Sequence, residues 1–527
     1  MALMLLLSSL RVCVGQPHVV NASVLQPANF QHYFVEFTNE EQQMLGTAPS
    51  LPWNWFVKNI PWLDIPDKEM EQIYYFRWYA FQKHIVSTPD GYLISEFLDN
   101  VPWSGKRNMI ATAAGHHIRE ARWLRDPEYA NDYTRFWFGP DGEPLRYSFW
   151  AADSVYHLYL ANGNRALAIS LLPALEKNYE AWERTHQDSN GLFWQIDDRD
   201  GMEDSISGNG YRPTINSYMY GDAIAISQIA EMAGKEEVAQ TYRVKAAHLR
   251  SLVEKRLWNP HDEFYETVER HDDDGWSGAR ELVGYIPWYF NLPPEQHDSA
   301  WKFLFEPKGF WGEYGPTTAE RRNPRFGYKV RHECLWNGPS WPYATTQTLV
   351  ALANFLNGPK QSVMTKEDYF RLLQTYAYSQ HIGLPNGKTI PWIDEDLDPD
   401  TGQWIARNIL ISLHQPPPNR GRYYNHSGFA DLIITGLIGL RPAPGNQLML
   451  HPLIPPGKWS YFAMDGVPYH GHLLTILYDR DGRRYNKGSG LQVLCDGTVV
   501  AHARQLTTLR FSISGKPRPD TVSRNIQ

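Results

Sequence analysis

The sequence predicts a mainly α-helical chain closed into an (α/α)6 barrel and followed by a small C-terminal β-sandwich. Three observations carry this. Apolar residues recur at helical spacing from about Glu69 to about Leu440; the helices come in close pairs divided by long polar loops rich in aromatics and glycine; and after Pro442 the pattern turns into short β-favouring runs between Gly, Pro and Asp.

The helical stretches are 69–84, 106–125, 149–161, 166–185, 218–233, 235–257, 279–289, 298–305, 341–356, 367–381 and 428–440. Asn162-Gly163-Asn164 divides one pair and Gly234 another, because Gly and Asn accept the left-handed backbone that ends a helix. Within 235–257, Val238, Tyr242, Leu249, Leu252, Val253 and Leu257 recur at three- and four-residue steps and form one apolar stripe. These are eleven helices, where a closed ring of six hairpins has twelve. An open solenoid requires self-similarity at a fixed period, and the chain has none. The β runs are 447–450, 475–478, 490–494, 498–503 and 508–513, with hairpin turns at 479–482 and Asp496-Gly497. The expected organisation is therefore a signal peptide at 1–15, an extended lead-in at 16–65, the barrel at 66–445, and a β-sandwich domain at 446–527 that ends in a loose polar tail.

Composition narrows the function. Across 527 residues, 58 acidic against 50 basic side chains give a net charge of -8, which opposes binding to a phosphate backbone. No apolar run reaches the ~18 residues of a membrane span. The 20 Trp, 30 Tyr and 22 Phe supply flat apolar faces with polar handles, suited to a sugar ring with one apolar face and a rim of hydroxyls. Residues 2–10 have the length of a signal h-region and Gly15 is small enough to precede a cut, so export to the periplasm or outside the cell is expected. Arg11 is a poor fit to a lipidation signal at Cys13. Cys334 and Cys495 have no metal-ligand spacing and make no disulfide framework. Asn21-Ala22-Ser23 and Asn425-His426-Ser427 are glycosylation sequons, meaningful only in a eukaryotic secretory host. Nothing in the sequence fixes an oligomeric state.

Three loop segments join acids or amides to Trp or Met and to Gly or Pro: Asp188-Ser189-Asn190-Gly191-Leu192 with Gly201-Met202-Glu203-Asp204-Ser205 after it; Trp336-Asn337-Gly338-Pro339-Ser340-Trp341; and the run from Pro391-Trp392 through Asp394-Glu395-Asp396 to Thr401-Gly402. Carboxylates against aromatic surface suit glycoside hydrolysis. One carboxyl must stay protonated to donate to the leaving oxygen, which apolar surroundings favour, and another must be ionised. The acids at 394–400 also suit a solvated face or a cation site, although the spacing lacks the Gly and final Glu of a calcium loop.

In this order the three segments resemble the bacterial family 63 glycosidases and mannosylglycerate hydrolases, and more remotely the trehalases, all built on the (α/α)6 barrel. Those families carry D-x-D/N-G-L before S-G-M/W-D, then W-R/N-G-P-x-W, then E-N-Y-N-P-x-T-G. The resemblance covers about residues 70–440 and implies an exo-acting, inverting glycosidase without a cofactor. Its general acid falls at Glu203, where Glu stands for the family's Asp, and its general base at Glu395. Asp204 occupies a position that is usually Asn. The β-domain, with Tyr469-His470-Gly471-His472, resembles mannosylglycerate-hydrolase-like enzymes of polysaccharide degradation, among them family 142, which acts on β-L-arabinofuranosides. α-Glucosides, α-mannosides and α-galactosides remain equally open as substrates.

The remaining expectations concern binding. Trp103, Trp336, Trp341 and Trp392 are expected to wall a sugar pocket, with Asp204, Arg212, Asn337 and His426 bonding hydroxyls. For Trp103 the alternative is a core Trp, and for His426 a helix-entry hydrogen bond. His116-His117 lacks ligands at i, i+4, so no metal is expected. Two other classes stay open: a polysaccharide lyase or sugar epimerase on the same barrel, using His426, His332 or Tyr424 as base, and a non-catalytic carbohydrate-binding protein.

Overall fold

The computed structural model describes residues 23–46, 53–270, 275–327, 333–414 and 420–513. The expected leader with Cys13, Asn21 of the first sequon, His332 and the expected loose tail lie outside the described residues. Six helical hairpins make the barrel, each an outer element followed by an inner one. The outer elements are Lys68–Lys83, Glu128–Trp137, Arg165–His186, Glu236–Arg256, the 3-10 stretch Glu295–Phe305, and Lys366–Ser379. The inner ones are Ala114–Ala121, Ala151–Asn162, Pro213–Met232, Leu282–Tyr285 continued by Ile286–Tyr289, Pro342–Asn357, and Phe429–Asp431 continued by the π-helical Leu432–Leu437. Each inner element packs on the next, and the sixth returns to the first, closing the ring.

Burial explains the two kinds of helix. Inner helices are covered on every side: every residue from Pro342 to Phe355 is buried in a mostly apolar or small sequence, whereas Ala114–Ala121 buries His116, His117, Arg119 and Glu120 as well. Outer helices keep one wet face: Glu236–Arg256 buries Ala239, Tyr242, Ala246, Leu249 and Val253, a single stripe. The twelfth helix, absent from the sequence reading, is Glu128–Trp137. It buries Tyr129, Ala130, Tyr133, Thr134 and Trp137, a stripe made mostly of aromatics among charged residues. Residues 106–125, expected as one helix, form only Ala114–Ala121 after two short 3-10 turns, because Arg107 and Asn108 take positive φ (59° and 61°) and break the run.

The lead-in corrects the expectation of an extended segment. It forms helices Gln31–Leu45 and Trp53–Asn59, then strand Trp62–Asp64. Aromatic packing drives this: Phe34 lies against Phe56, Trp62 and Tyr75, and Phe37 against Phe76 and Tyr79.

The β-domain has two antiparallel sheets. The larger runs in the order Trp62–Asp64, Tyr461–Tyr469, His472–Asp479, Gly490–Cys495 and Thr498–Ala503. The smaller joins Leu509–Ser512, Gln447–Leu450 and Leu440–Pro442, so pairing begins at Leu440, ahead of the expected boundary. Tyr461–Tyr469 went unread because Gly466 and Pro468 interrupt its alternation; the register shifts between Asp465 and Val467. Asp496-Gly497, both at positive φ, is a two-residue hairpin turn as expected. Asp479–Gly482 only opens a longer loop to Gly490.

The domain is anchored to the barrel and to the lead-in. Arg484 and Tyr485 bond Asp64, Arg125 Nε donates to the Gly466 carbonyl at 2.9 Å, and the His470 ring meets the Leu160 carbonyl at 3.0 Å. Removing residues 446–527 strips the partner strand from Trp62–Asp64 and bares apolar barrel surface. The expected result is aggregated or inactive protein. Soluble, fully active truncated protein, by size exclusion and assay, would show that this packing is dispensable.

Candidate active site

Every loop that runs from an outer element to the next inner one lies at the same end of the barrel, and five of the six line a cavity of about 240 Å3. The first loop gives Glu96, Phe97, Trp103, Ile110 and Thr112; the second Tyr147; the third Asp198, Arg199, Gly201 and Glu203; the fifth Glu333, Cys334 and Trp341; the sixth Glu395, Arg420, Tyr424 and His426. Glu203 and Glu395, expected as acid and base, thus share one pocket although they come from the third and sixth hairpins.

Glu203 sits on a tightly wound turn. The 3-10 turn Asp197–Asp200 ends at Gly201, whose φ of 70° reverses the chain, and Met202 plugs into the core. Beneath it Asp200 is fully buried, pairs with Arg212 Nε at 2.6 Å, and accepts from Ser148 and Thr214 hydroxyls. The Glu203 carbonyl accepts from the Trp336 amide at 3.1 Å, tying the acid loop to the fifth loop. Burial, with the nearby charges of Asp198 and Glu395, pushes the Glu203 carboxyl up to about 8. At neutral pH it holds its proton.

Glu395 has opposite surroundings. Arg420 grips it through Nε at 2.7 Å and Nη2 at 3.2 Å, and the Cys334 thiol donates to it at 3.2 Å. Glu333 pairs with the same Nη2 at 2.7 Å. This bidentate contact of Arg420 with Glu395 fixes where the Glu395 carboxylate points. Burial next to Glu395 and Glu203 raises the Cys334 thiol well above its usual range, so it stays a donor. Gly421 is required here: a Cβ at that position would collide with Asp394 Oδ1. Asp394, pushed up to about 7 by burial, accepts from the Glu395 amide at 3.0 Å, and Asp396 accepts from Ala406 at the start of helix Ile405–Ser412. The acids at 394–396 are thus internal, and only Asp398 and Asp400 form the expected wet turn.

The expected binding residues divide. Trp103, Trp341 and His426 line the cavity, with the Arg420 guanidinium 4.7 Å above the Trp103 ring. Trp336 does not line it; it stacks behind Trp341 at 4.8 Å. Trp392 lies outside it, under the Arg407 and Arg422 guanidiniums. Asn337 does not line it; its backbone carbonyl accepts from the Gly327 amide at 3.1 Å, and its side-chain oxygen is buried without a partner among the described residues. Asp204, at φ 58°, is not among the residues that line it, and its Oδ2 is likewise buried without a partner among the described residues. Arg212 is fully buried and bonds Asp200, Ser205, Ser207 and Gly208, so it fastens the acid loop and offers nothing to a hydroxyl. Arg212→Ala leaves Asp200 as an uncompensated buried charge and is expected to cost about 3–5 kcal/mol of stability, read as a drop in melting temperature.

Glu96, Glu333 and Arg420 escaped the sequence reading because each is a single charge in a loop without a motif. The nearest signal was Gly421-Arg422-Tyr423-Tyr424-Asn425-His426, which directly follows Arg420. Asn425 is fully buried and bonded to Arg77 and Ser95, so its sequon is closed to glycosylation. His116 and His117 are buried, and His117 is bonded to Tyr133 and the Asn425 carbonyl. Among the described residues, His472, Cys495 and Asp496 bring three potential metal-ligand atoms within 4.8 Å of one another in the β-domain; His472 already bonds Asp496 at 2.7 Å there. A second cavity, about 280 Å3, lies at the opposite end of the barrel, where Arg119 and Arg122 pair with Asp153 and Asp431. It holds none of the expected site residues. Among the described residues no helix is long and apolar enough to cross a membrane.

Comparison with known proteins agrees with this architecture. A family model described as the mannosylglycerate hydrolase MGH1-like glycoside hydrolase domain matches residues 106–427, and the C-terminal domain of glycosyl hydrolase family 65 matches residues 440–502. The fold aligns with a solved sialidase at a TM-score of 0.86 and 43% identity over 93% of this chain and 45% of that one. It aligns with a family 63 mannosylglycerate hydrolase from Thermus thermophilus at 0.52 and 12% identity, over 69% of this chain and 100% of that one. An α-L-rhamnosidase from Dictyoglumus thermophilum aligns at 0.52 and 13% identity, over 85% and 45%. The last two likenesses speak for the fold alone. A curated protein of Borreliella burgdorferi is 23% identical over 162 residues, 31% of this chain and 34% of that one. The chain therefore spans a third of that curated relative and less than half of the sialidase.

Proposed function

Because the chain belongs to the mannosylglycerate hydrolase MGH1-like glycoside hydrolase family, we propose that it hydrolyses a terminal glycosidic bond with Glu203 as general acid and Glu395 as general base. The observation that carries the reading is the contrast between two carboxyls in one cavity: Glu203 kept protonated by burial, and Glu395 clasped by Arg420. Environments that separate two carboxyls in this way are how an acid and a base are told apart. Glu203 donates its proton to the leaving oxygen. Glu395 takes a proton from the water that attacks the anomeric carbon from the other face, and the configuration inverts. Trp103 and Trp341 offer apolar faces to the ring, and a cavity on the scale of a single sugar suits removal of one terminal unit from an oligosaccharide or a polysaccharide side chain.

Of the three bases the lyase reading names, Tyr424 loses support: burial beside Glu96 raises its phenol well above its usual range and keeps it a donor. The test is a panel of aryl glycosides and oligosaccharides covering α-glucosides, α-mannosides, α-galactosides and β-L-arabinofuranosides, with products resolved by chromatography and anomers by NMR. Release of a monosaccharide of inverted configuration is the expected result. An unsaturated, ultraviolet-absorbing product overturns hydrolysis in favour of the lyase, and binding without turnover across the panel favours a lectin-like role. In this reading the enzyme works outside the cytoplasm, which fractionation of the native host checks.

A further inference from the structure

We propose that His472, Cys495 and Asp496 form a binding site for a zinc ion in the β-domain, apart from the catalytic cavity. Their potential ligand atoms, one on each side chain, all lie within 4.8 Å of one another. Sequence spacing conceals the set, because 24 positions separate His472 from Asp496. The sheet brings them together. His472 opens the strand His472–Asp479, and Cys495 closes the strand Gly490–Cys495, where it stands opposite Leu474. Side chains two apart on a strand share a face, so His472 and Leu474 point the same way and Cys495 is a diagonal neighbour of His472 on that face. Asp496 begins the turn that follows, at φ 48°, and reaches back across to His472 and Leu473.

The donor set and its support are those of a metal site. An imidazole nitrogen, a thiol sulfur and a carboxylate oxygen together suit zinc, whereas calcium and magnesium take oxygen ligands. The carboxylate is aimed by the backbone. The Leu473 amide donates to Asp496 Oδ1 at 3.1 Å and the Asp496 amide donates to the Leu473 carbonyl at 2.9 Å, which leaves Oδ2 facing His472 Nδ1 at 2.7 Å. An outer partner of this kind orients a ligating group. His472 and Cys495 are buried and the Asp496 side chain is 25% exposed, so an ion reaches the site past Asp496 and a water completes the tetrahedron. Zinc takes the place of the direct contact between Nδ1 and Oδ2, and the thiol gives its proton to the buffer as the sulfur binds. The ion ties together two neighbouring hairpin tips, Tyr469–His472 and Cys495–Thr498. His470, on the first tip, meets the Leu160 carbonyl at 3.0 Å, so the clip stiffens the edge of the sheet that rests on the barrel.

The test uses the full chain, stripped with a chelator and titrated with zinc and, as a spectroscopic probe, with cobalt(II). Zinc should bind in calorimetry with a heat that varies with the buffer, because a proton is released. Cobalt should give the visible bands of a tetrahedral ion and a thiolate charge-transfer band in the near ultraviolet, and zinc should bleach both. Cys495→Ser should abolish the charge-transfer band. His472→Gln and Asp496→Asn should each weaken binding by at least about 10- to 100-fold, the loss expected even for an outer partner. Cys334→Ser is the control, since Cys334 is the other thiol of the described residues and lies beside Glu395; the bands should survive it. Circular dichroism and melting of the metal-free variants establish that they fold. No binding by the wild type, which leaves His472 and Asp496 as a plain hydrogen-bonded pair, overturns the site. So does a charge-transfer band that survives Cys495→Ser, or wild-type affinity in folded His472→Gln and Asp496→Asn. No turnover is read, so the result stands apart from the hydrolysis panel.

Discussion

Glu203→Gln should lower turnover of glycosides with poor leaving groups by about 10²–10⁴-fold, the usual worth of general acid catalysis. Activated aryl glycosides should suffer far less, because their leaving groups depart without a proton. Asp204→Asn is the paired control. Asp204 stands next in sequence, but it is not among the residues that line the cavity and its backbone turns at φ 58°, so its loss should act on the turn and show no dependence on leaving group. If Asp204→Asn shows the leaving-group dependence and Glu203→Gln does not, the acid has been placed one residue out of register.

The same carboxyl fixes two pH dependences. Glu203 must be protonated to act, and its environment places that proton at about 8, so kcat/KM should hold through neutrality and fall as pH rises through about 8. In Glu203→Gln that alkaline limb should vanish from the residual activity. Stability carries the opposite message. A carboxyl raised from its ordinary 4.5 binds its proton more tightly folded than unfolded, so its contribution is fully present below about 4.5 and is lost as pH rises through the folded value. Glu203→Gln, which never ionises, should therefore melt higher than the wild type above about pH 8, with the difference shrinking as pH falls. An acid held protonated by burial is destabilising at working pH, and melting curves across that range measure it.

Much of the fold was legible because the barrel writes a repeated grammar: outer helices show one stripe, most inner helices are rich in apolar and small residues, and Gly or Asn ends a hairpin. What was lost follows from the same physics. Glu128–Trp137 hides its stripe in Tyr and Trp, which read as polar or apolar according to their neighbours. The helix Gln31–Leu45 is held by aromatic packing of Tyr33 and Phe34 on Tyr75 and of Phe34 on Trp62, a tertiary cause that no local window contains. In the site, the acid and base lie in motifs and were found, whereas Glu96, Glu333 and Arg420 owe their importance only to what they touch. The Trp residues divide on similar grounds: Trp336 and Trp341 share one motif, yet the first backs the second, and only the second meets the cavity. Arg212 sits correctly beside the acid loop, but a guanidinium with no exposed surface belongs to the scaffold.

Glu395→Ala should cost as much as the loss of the acid, about 10²–10⁴-fold, with a different signature. The base is needed to make the attacking water nucleophilic, whatever group departs, so activated and poor substrates should fall together. The truncated side chain also leaves room where the water sat. Azide, which needs no base, should restore turnover of an activated aryl glycoside and yield a glycosyl azide of configuration opposite to the substrate. Glu395→Gln keeps the volume and one contact to Arg420, so it should be as inactive but resist rescue. A covalent glycosyl–protein adduct at Glu395, trapped with a slow substrate and seen by mass spectrometry, would instead make this residue a nucleophile and the reaction a retaining one. Arg420, bonded to both oxygens at 2.7 and 3.2 Å, fixes the position of the carboxylate for either role. The azide product does not separate the two, because azide entering the space left by a base or by a nucleophile gives the same inverted azide; the adduct, and the anomer that the wild type releases first, are where the two chemistries part.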